Sequence, residues 1–244
     1  MSSLQELATV NLDGINSEHI AKQLRKLTEL RKLAVSGLSE NSGKYFCDSL
    51  KVMTALRSLN IHCLTTVEFL NNLSSPPSLL ESLKLDGPLL ALPQWLVAGF
   101  HLSKLVLKGS GLRADAISLL GALPSLRHLR LARAAYIEER LCFGCDGGFR
   151  SLKVLCVEHL DSRSLCFEGR MPCLESLWVV TGAHGRISER MEISGIENIP
   201  CLQEIHLCGM QARDLDAVSL ATCEHPNHSR VVATETTDCD LHSE

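Results

Sequence analysis

Nine copies of one short unit constrain this chain more than anything else in it. The clearest copy is Leu126-Arg127-His128-Leu129-Arg130-Leu131, a Leu-x-x-Leu-x-Leu stretch. Equivalent units start at Leu7, Leu30, Leu56, Leu80, Leu102, Leu126, Leu152, Leu174 and Leu202. The fourth and sixth positions of every copy are Leu, Ile or Val. Successive fourth positions (Val10, Leu33, Leu59, Leu83, Leu105, Leu129, Leu155, Leu177, Ile205) lie 23, 26, 24, 22, 24, 26, 22 and 28 residues apart. A period of roughly 20–29 residues with this pattern is that of leucine-rich repeats.

A strand alternates its two faces, so positions 4 and 6 point to one side and positions 3, 5 and 7 to the other. One such strand cannot bury its apolar face alone, but stacked copies do so as a parallel sheet. The fold expected is therefore α/β: a solenoid of about nine irregular leucine-rich repeats. A concave parallel sheet forms one face, and short helices or coils form the convex side. Residues 1–221 read as one repeat domain and residues 222–244 as a partly disordered C-terminal tail. The segment 16–27 reads as a return helix with Ser17 as N-cap and Ile20, Leu24 and Leu27 on its packed face. Val67, Leu70 and Leu73 lie on a second helical return, and Asp214–Leu220 read as a short capping helix. No polar cap precedes Leu7, which reads as an array entered part-way. Its upstream partner would be further repeats or another domain.

Charge and composition remove several function classes. A formal net charge of −4 gives no support for nucleic-acid binding. No apolar run reaches the ~18 residues of a membrane span, and Met1–Glu6 lack the features of a signal peptide. On that basis the chain reads as cytoplasmic, with its 11 cysteines as reduced thiols. Cys142-Phe143-Gly144-Cys145 is a Cys-x-x-Cys pair, and Cys223, His225, His228, Cys239 and His242 cluster near the end. The first pair has no matching second pair, so no zinc site and no cofactor is expected. No nucleophile elbow or other catalytic constellation is present, and the chain reads as a non-enzyme.

The residues available for binding are the odd strand positions. Repeats four to six gather Lys84, Lys104, Lys108, His128 and Arg130 around Asp86 and Val106. Repeats seven to nine contribute Glu158, Trp178 and His206. A basic patch beside an exposed Trp suits a protein partner with an acidic surface and an apolar anchor, since Trp and Arg are enriched at binding hot spots.

A second, more specific pattern overlays the repeat. It comprises Leu92-Pro93-Gln94-Trp95-Leu96, Leu123-Pro124-x-Leu126, Ala135-Tyr136, Glu138-Glu139, Gly147-Gly148-Phe149, Met171-Pro172-x-Leu174-Glu175 and Glu224-His225-Pro226-Asn227-His228. This combination resembles the leucine-rich-repeat region of plant disease resistance proteins, the coiled-coil nucleotide-binding class common in grasses. The resemblance covers nearly the whole chain. It implies a non-catalytic recognition module in plant defence, its concave face binding a protein: a pathogen effector, a guarded host protein, or another receptor domain such as an upstream nucleotide-binding domain. A repeat scaffold or substrate-receptor adaptor outside immunity is the alternative. Two departures stand out. No Gly-x-x-x-x-Gly-Lys-Ser/Thr loop occurs, so the nucleotide-binding domain is missing from this sequence. The ninth repeat position (Ile15, Leu38, Leu64, Pro88, Ser110, Ala134, Leu160, Gly182, Met210) carries no Asn ladder, so irregular coils are expected.

Overall fold

A computed structural model describes residues 4–97, 101–144, 148–159, 162–181, 192–210, 212–223 and 225–234. The chain forms two compact units, residues 1–111 and 112–244. Ten parallel strands of leucine-rich-repeat type run through the described residues, five in each unit.

In the first unit the order is β1 (Glu6–Asn11), α1 (Ser17–Leu24), β2 (Lys32–Ser36), α2 (Glu40–Leu50), β3 (Ser58–His62), a 3-10 turn (Glu68–Asn72), β4 (Ser82–Asp86), α3 (Gln94–Val97) and β5 (Lys104–Lys108). The five strands pair in sequence order, all parallel. Their register stacks Leu33, Leu59, Leu83 and Leu105 in one row and Val35, Ile61, Leu85 and Leu107 in the next. Each of these eight side chains is at most 2% exposed. Burying a Leu or Ile contributes roughly 2 kcal/mol. Exposed pairs such as Lys32–Glu6 add little beside that, so the aliphatic rows hold the sheet. The first repeat is the irregular one. The register slips between Leu7 and Val10, which are half-buried, while Leu12 is fully buried.

The return segments cover the other side of these rows. Helix α1 is present, but its N-cap is Asn16 and not Ser17, and no side chain bonds the free N–H groups there. Ala21 and Leu24 are its buried residues. Helix α2 begins with a reciprocal cap. Ser39 Oγ accepts from the Ser42 N–H at 3.2 Å, and Ser42 Oγ accepts from the Ser39 N–H at 2.9 Å. Inside α2, Gly43 lies against Phe69, where a Cβ would come within 2.3 Å of the ring. Ser49 Oγ donates to the Ala21 carbonyl at 2.6 Å, tying α2 to α1. Trp95 of the Pro-x-Trp-Leu segment is 6% exposed, and its Nε1 donates to the Leu70 carbonyl.

The second unit holds α4 (Ala114–Gly121), β6 (His128–Ala132), β7 (Arg140–Phe143), β8 (Val154–Glu158), β9 (Ser164–Phe167), β10 (Ser176–Val180), β11 (Glu192–Ser194), β12 (Glu204–Cys208), α5 (Ala212–Cys223) and β13 (Arg230–Thr234). The main sheet runs β6-β8-β10-β12-β13, all parallel. Leu129, Leu155, Leu177 and Ile205 form one buried row and Leu131, Val157, Val179 and Leu207 the other, each at most 1% exposed. A second parallel sheet, β7-β9-β11, supplies the return side. It buries Leu141, Leu165, Phe143 and Phe167. Phe143 stacks on Phe167 at 5.9 Å and meets Phe149 edge-on at 5.3 Å. Two glycines let the ends of β7 and β9 approach: a Cβ on Gly169 would lie 1.7 Å from the Gly144 carbonyl oxygen.

The boundary read at residue 221 falls within α5, and the segment 225–234 is built into the unit. His225 is 3% exposed; its Nε2 donates to the Ile199 carbonyl at 3.0 Å, and its Nδ1 accepts from the Asn227 N–H. Asn227 Nδ2 donates to the Pro200 carbonyl and Ser229 Oγ to the Leu202 carbonyl. The His-Pro-Asn-His segment thus satisfies the backbone of the preceding coil, and β13 pairs with β12 beyond it. Cys239 and His242 lie outside the described residues, as do Leu160 and Gly182.

Replacing Leu129, 1% exposed, by Asp puts an unpaired charge between two aliphatic rows. The expected loss exceeds about 4 kcal/mol, enough to unfold this unit. Urea denaturation followed by circular dichroism measures it; a shift under about 1 kcal/mol would place Leu129 outside the core.

Candidate functional site

The odd strand positions face away from the aliphatic rows and carry the chemistry. In the first unit the register sets Lys84 between Asn60 and Val106, and Asp86 between His62 and Lys108. His62 Nδ1 lies 3.3 Å from Asp86 Oδ2. Lys84, Lys104 and Lys108 are half-buried. Val106, expected to face a partner, is only 8% exposed. It lies between Lys104 and Lys108 of its own strand and pairs in register with Lys84.

In the second unit three rows cross the sheet. The first is His128, Val154, Ser176, Glu204 and Arg230. The second is Arg130, Cys156, Trp178, His206 and Val232. The third is Ala132, Glu158, Val180, Cys208 and Thr234. Ala132, Val180 and Cys208 of the third row are buried, His128 and Arg230 at the two ends of the first row are exposed, and the second row is half-buried along its length.

Trp178 is the centre of that row. Its ring stacks on His206 with centroids 3.6 Å apart and planes 3° from parallel. Both rings are held in place: Trp178 Nε1 donates to Ser176 Oγ at 2.9 Å, and His206 Nε2 lies 3.1 Å from Glu204 Oε2. Cys156 flanks Trp178 in register, and Val154 and Val232 lie on the same face, half-exposed. The surface is a flat, pre-oriented aromatic platform with small apolar neighbours.

Arg130 takes a different role from the one expected in a basic patch. Its guanidinium grips Glu158, two positions further along the neighbouring strand, with Nε 2.8 Å from Oε2 and Nη2 on the same oxygen. The side chains are 19% and 12% exposed, and His159 Nε2 approaches the other carboxylate oxygen at 3.7 Å. The pair neutralises itself at the border of the platform. His128 is exposed beside it.

Sequence reasoning reached Trp178 and His206 but not what orients them. Ser176 and Glu204 precede each ring by two residues on the same strand face, a spacing visible in the sequence. Val232 was missed because its strand follows a turn-rich segment. The Cys142-x-x-Cys145 spacing reads as neither a zinc nor a redox pair, with both cysteines as reduced thiols. The structure instead joins Cys142 to Cys166 in a disulfide across β7 and β9, which overturns the expectation of reduced thiols for this pair. Their separation of 24 residues equals one repeat step. Cys145 lies outside the described residues.

Because Arg130 and Glu158 are mostly buried, removing one partner leaves an uncompensated charge. Arg130→Ala should cost about 3 kcal/mol, and adding Glu158→Gln should recover more than half of it. A double-mutant cycle by chemical denaturation checks this; additive losses would show that the two groups do not couple.

A family model described as a leucine-rich repeat region matches residues 1–231. The disease resistance protein RPM1 of Arabidopsis thaliana is 32% identical over 204 residues, covering 80% of this chain and 21% of the relative. The disease resistance protein Pik-2 of Oryza sativa subsp. japonica is 30% identical over 236 residues, covering 85% and 22%. A rice disease resistance protein RGA4 is 26% identical over 249 residues, covering 97% and 24%. The chain thus spans about a fifth of the length of the curated relatives it matches. With its repeat period, its stacked aliphatic rows and this match along nearly its full length, the chain belongs to the leucine-rich-repeat family, as a repeat region of the kind carried by plant disease resistance proteins.

Proposed function

We propose that this chain is a non-catalytic recognition module acting in plant defence, and that it binds a protein partner on the sheet face centred on Trp178. The observation that carries this reading is the Trp178–His206 stack on the half-buried middle row of the second unit. An aromatic ring that is already oriented loses little freedom on binding, and Trp is the residue most often found at the energetic centre of protein interfaces. The Arg130–Glu158 pair and Glu204 form a polar border around it.

The Lys84, Lys104 and Lys108 group, with Asp86, is a second contact region suited to an acidic surface. The partner is a pathogen effector, a guarded host protein, or another domain of a longer receptor. The three relatives are disease resistance proteins, and the chain corresponds to about a fifth of each. The reading places the module in the cytoplasm. No helix among the described residues is long and apolar enough to cross a membrane.

The test is site-directed photo-crosslinking in plant extract, with the cross-linkable residue at Val154, at Val232 and, as control, at Lys44 on α2. One and the same protein should be captured from positions 154 and 232 and not from 44. Trp178→Ala should reduce its capture at least tenfold with an unchanged Tm, in line with a hot-spot loss of ~2 kcal/mol. Equal capture from all three positions, or capture indifferent to Trp178→Ala, would contradict the proposal.

A further inference from the structure

The Cys142–Cys166 bridge lies on the return-side sheet β7-β9-β11, and three features set it apart from the buried thiols Cys47 and Cys63. The first is register. The two residues face each other directly on adjacent parallel strands, with Cα atoms 4.7 Å apart. That separation lies inside the ~4.4–6.8 Å over which a disulfide closes without backbone movement. The aliphatic and aromatic side chains at the neighbouring positions, Leu141, Phe143, Leu165 and Phe167, are all buried and hold that register whether or not the sulfurs are joined.

The second feature is access. Cys142 is half-exposed, while Cys166 is 2% exposed beneath it. A reagent in solution reaches the first sulfur more readily than the second. The third is charge. Arg140 reaches Cys166, with Nε 3.3 Å from Cys166 Sγ, and its Nη2 lies 2.7 Å from Glu168 Oε1, the carboxylate oxygen 3.6 Å from Cys142 Sγ. A guanidinium against sulfur stabilises the thiolate, so Arg140 favours the Cys166 thiolate, the group that resolves a mixed disulfide formed on Cys142. Cys47 and Cys63 are the contrast. Burial, with Asp48 adding to it, pushes the Cys47 thiol up to about 12. Burial pushes Cys63 up to about 11, against a backbone hydrogen bond involving Leu38.

We propose that Cys142 and Cys166 are a reversible dithiol–disulfide couple that exchanges with a small disulfide of the glutathione type. The Cys142 thiolate attacks one sulfur of glutathione disulfide, forming a mixed disulfide and releasing one glutathione thiolate. The Cys166 thiolate then attacks Cys142 Sγ, closing the protein disulfide and releasing the second. Two protein thiols lose two electrons and two protons, and one glutathione disulfide becomes two glutathione thiols. The closed loop of 24 residues contains β8. Oxidation therefore staples the two coils on either side of the strand that carries Val154, Cys156 and Glu158, and lowers the freedom of the unfolded chain.

The experiment equilibrates the 244-residue chain, first fully reduced, with glutathione and glutathione disulfide at a series of ratios. It then alkylates free thiols and maps them by mass spectrometry. The expected result is a Cys142–Cys166 linked peptide that appears and disappears with one midpoint, while Cys47 and Cys63 are alkylated only after denaturation. Oxidation should raise Tm by roughly 5–10 °C, and Cys142→Ser should abolish that rise. The proposal is overturned if Cys142 and Cys166 stay alkylatable at every ratio. It is equally overturned if Cys142 links as often to Cys145, Cys201 or Cys223 as to Cys166. A Tm rise that persists in Cys142→Ser, or an unchanged wild-type Tm, would show that the bridge does not restrain this unit.

Discussion

Parallel, in-register stacking of two aliphatic side chains per coil is the constraint on which everything else in this chain rests. In-register pairing puts Leu over Leu and Val over Ile from strand to strand, as in the row Leu33, Leu59, Leu83, Leu105. A slip of one residue would turn every one of these to the solvent side. The same register aligns the odd positions into rows, so the face that carries chemistry is ordered by the face that carries stability. Trp178 meets His206 because Leu177 meets Ile205. Cys142 meets Cys166 because Leu141 meets Leu165.

The strands were legible in the sequence because their signal is local and has period 2. Fourth and sixth positions are Leu, Ile or Val without exception, and the turns between them need only a rough length. The return segments were less legible because several physical solutions cover the same core. Helix α2 is not marked out by the sequence pattern; it forms because Ser39 and Ser42 cap each other at its start and Gly43 admits the Phe69 ring. The sheet β7-β9-β11 takes the place of helices in part of the second unit, and its short strands are hidden among glycines and cysteines.

Among the candidate site residues, direction was legible but pairing was not. Odd positions do face away from the core, but alternation does not say which neighbours meet. Arg130 reads as one more cation until its diagonal neighbour Glu158 is placed against it. Val106 reads as accessible from its odd position, yet it is only 8% exposed. The Arg130–Glu158 pairing joins neighbouring strands 28 residues apart in sequence, where the chain itself gives no local cue. The surface that emerges is less a basic patch than an oriented aromatic row bordered by a self-neutralised ion pair. Such a surface favours recognition by shape and apolar contact over long-range charge.

The most direct test of this account is hydrogen–deuterium exchange of the chain in solution, read peptide by peptide. Stacked, in-register strands predict slow exchange for amides in 32–36, 58–62, 82–86 and 104–108, and likewise in 128–132, 154–158, 176–180 and 204–208, with similar protection within each unit. Exchange of these strand amides as fast as that of unstructured peptides would contradict the stacked-row architecture and, with it, the face on which Trp178 is displayed.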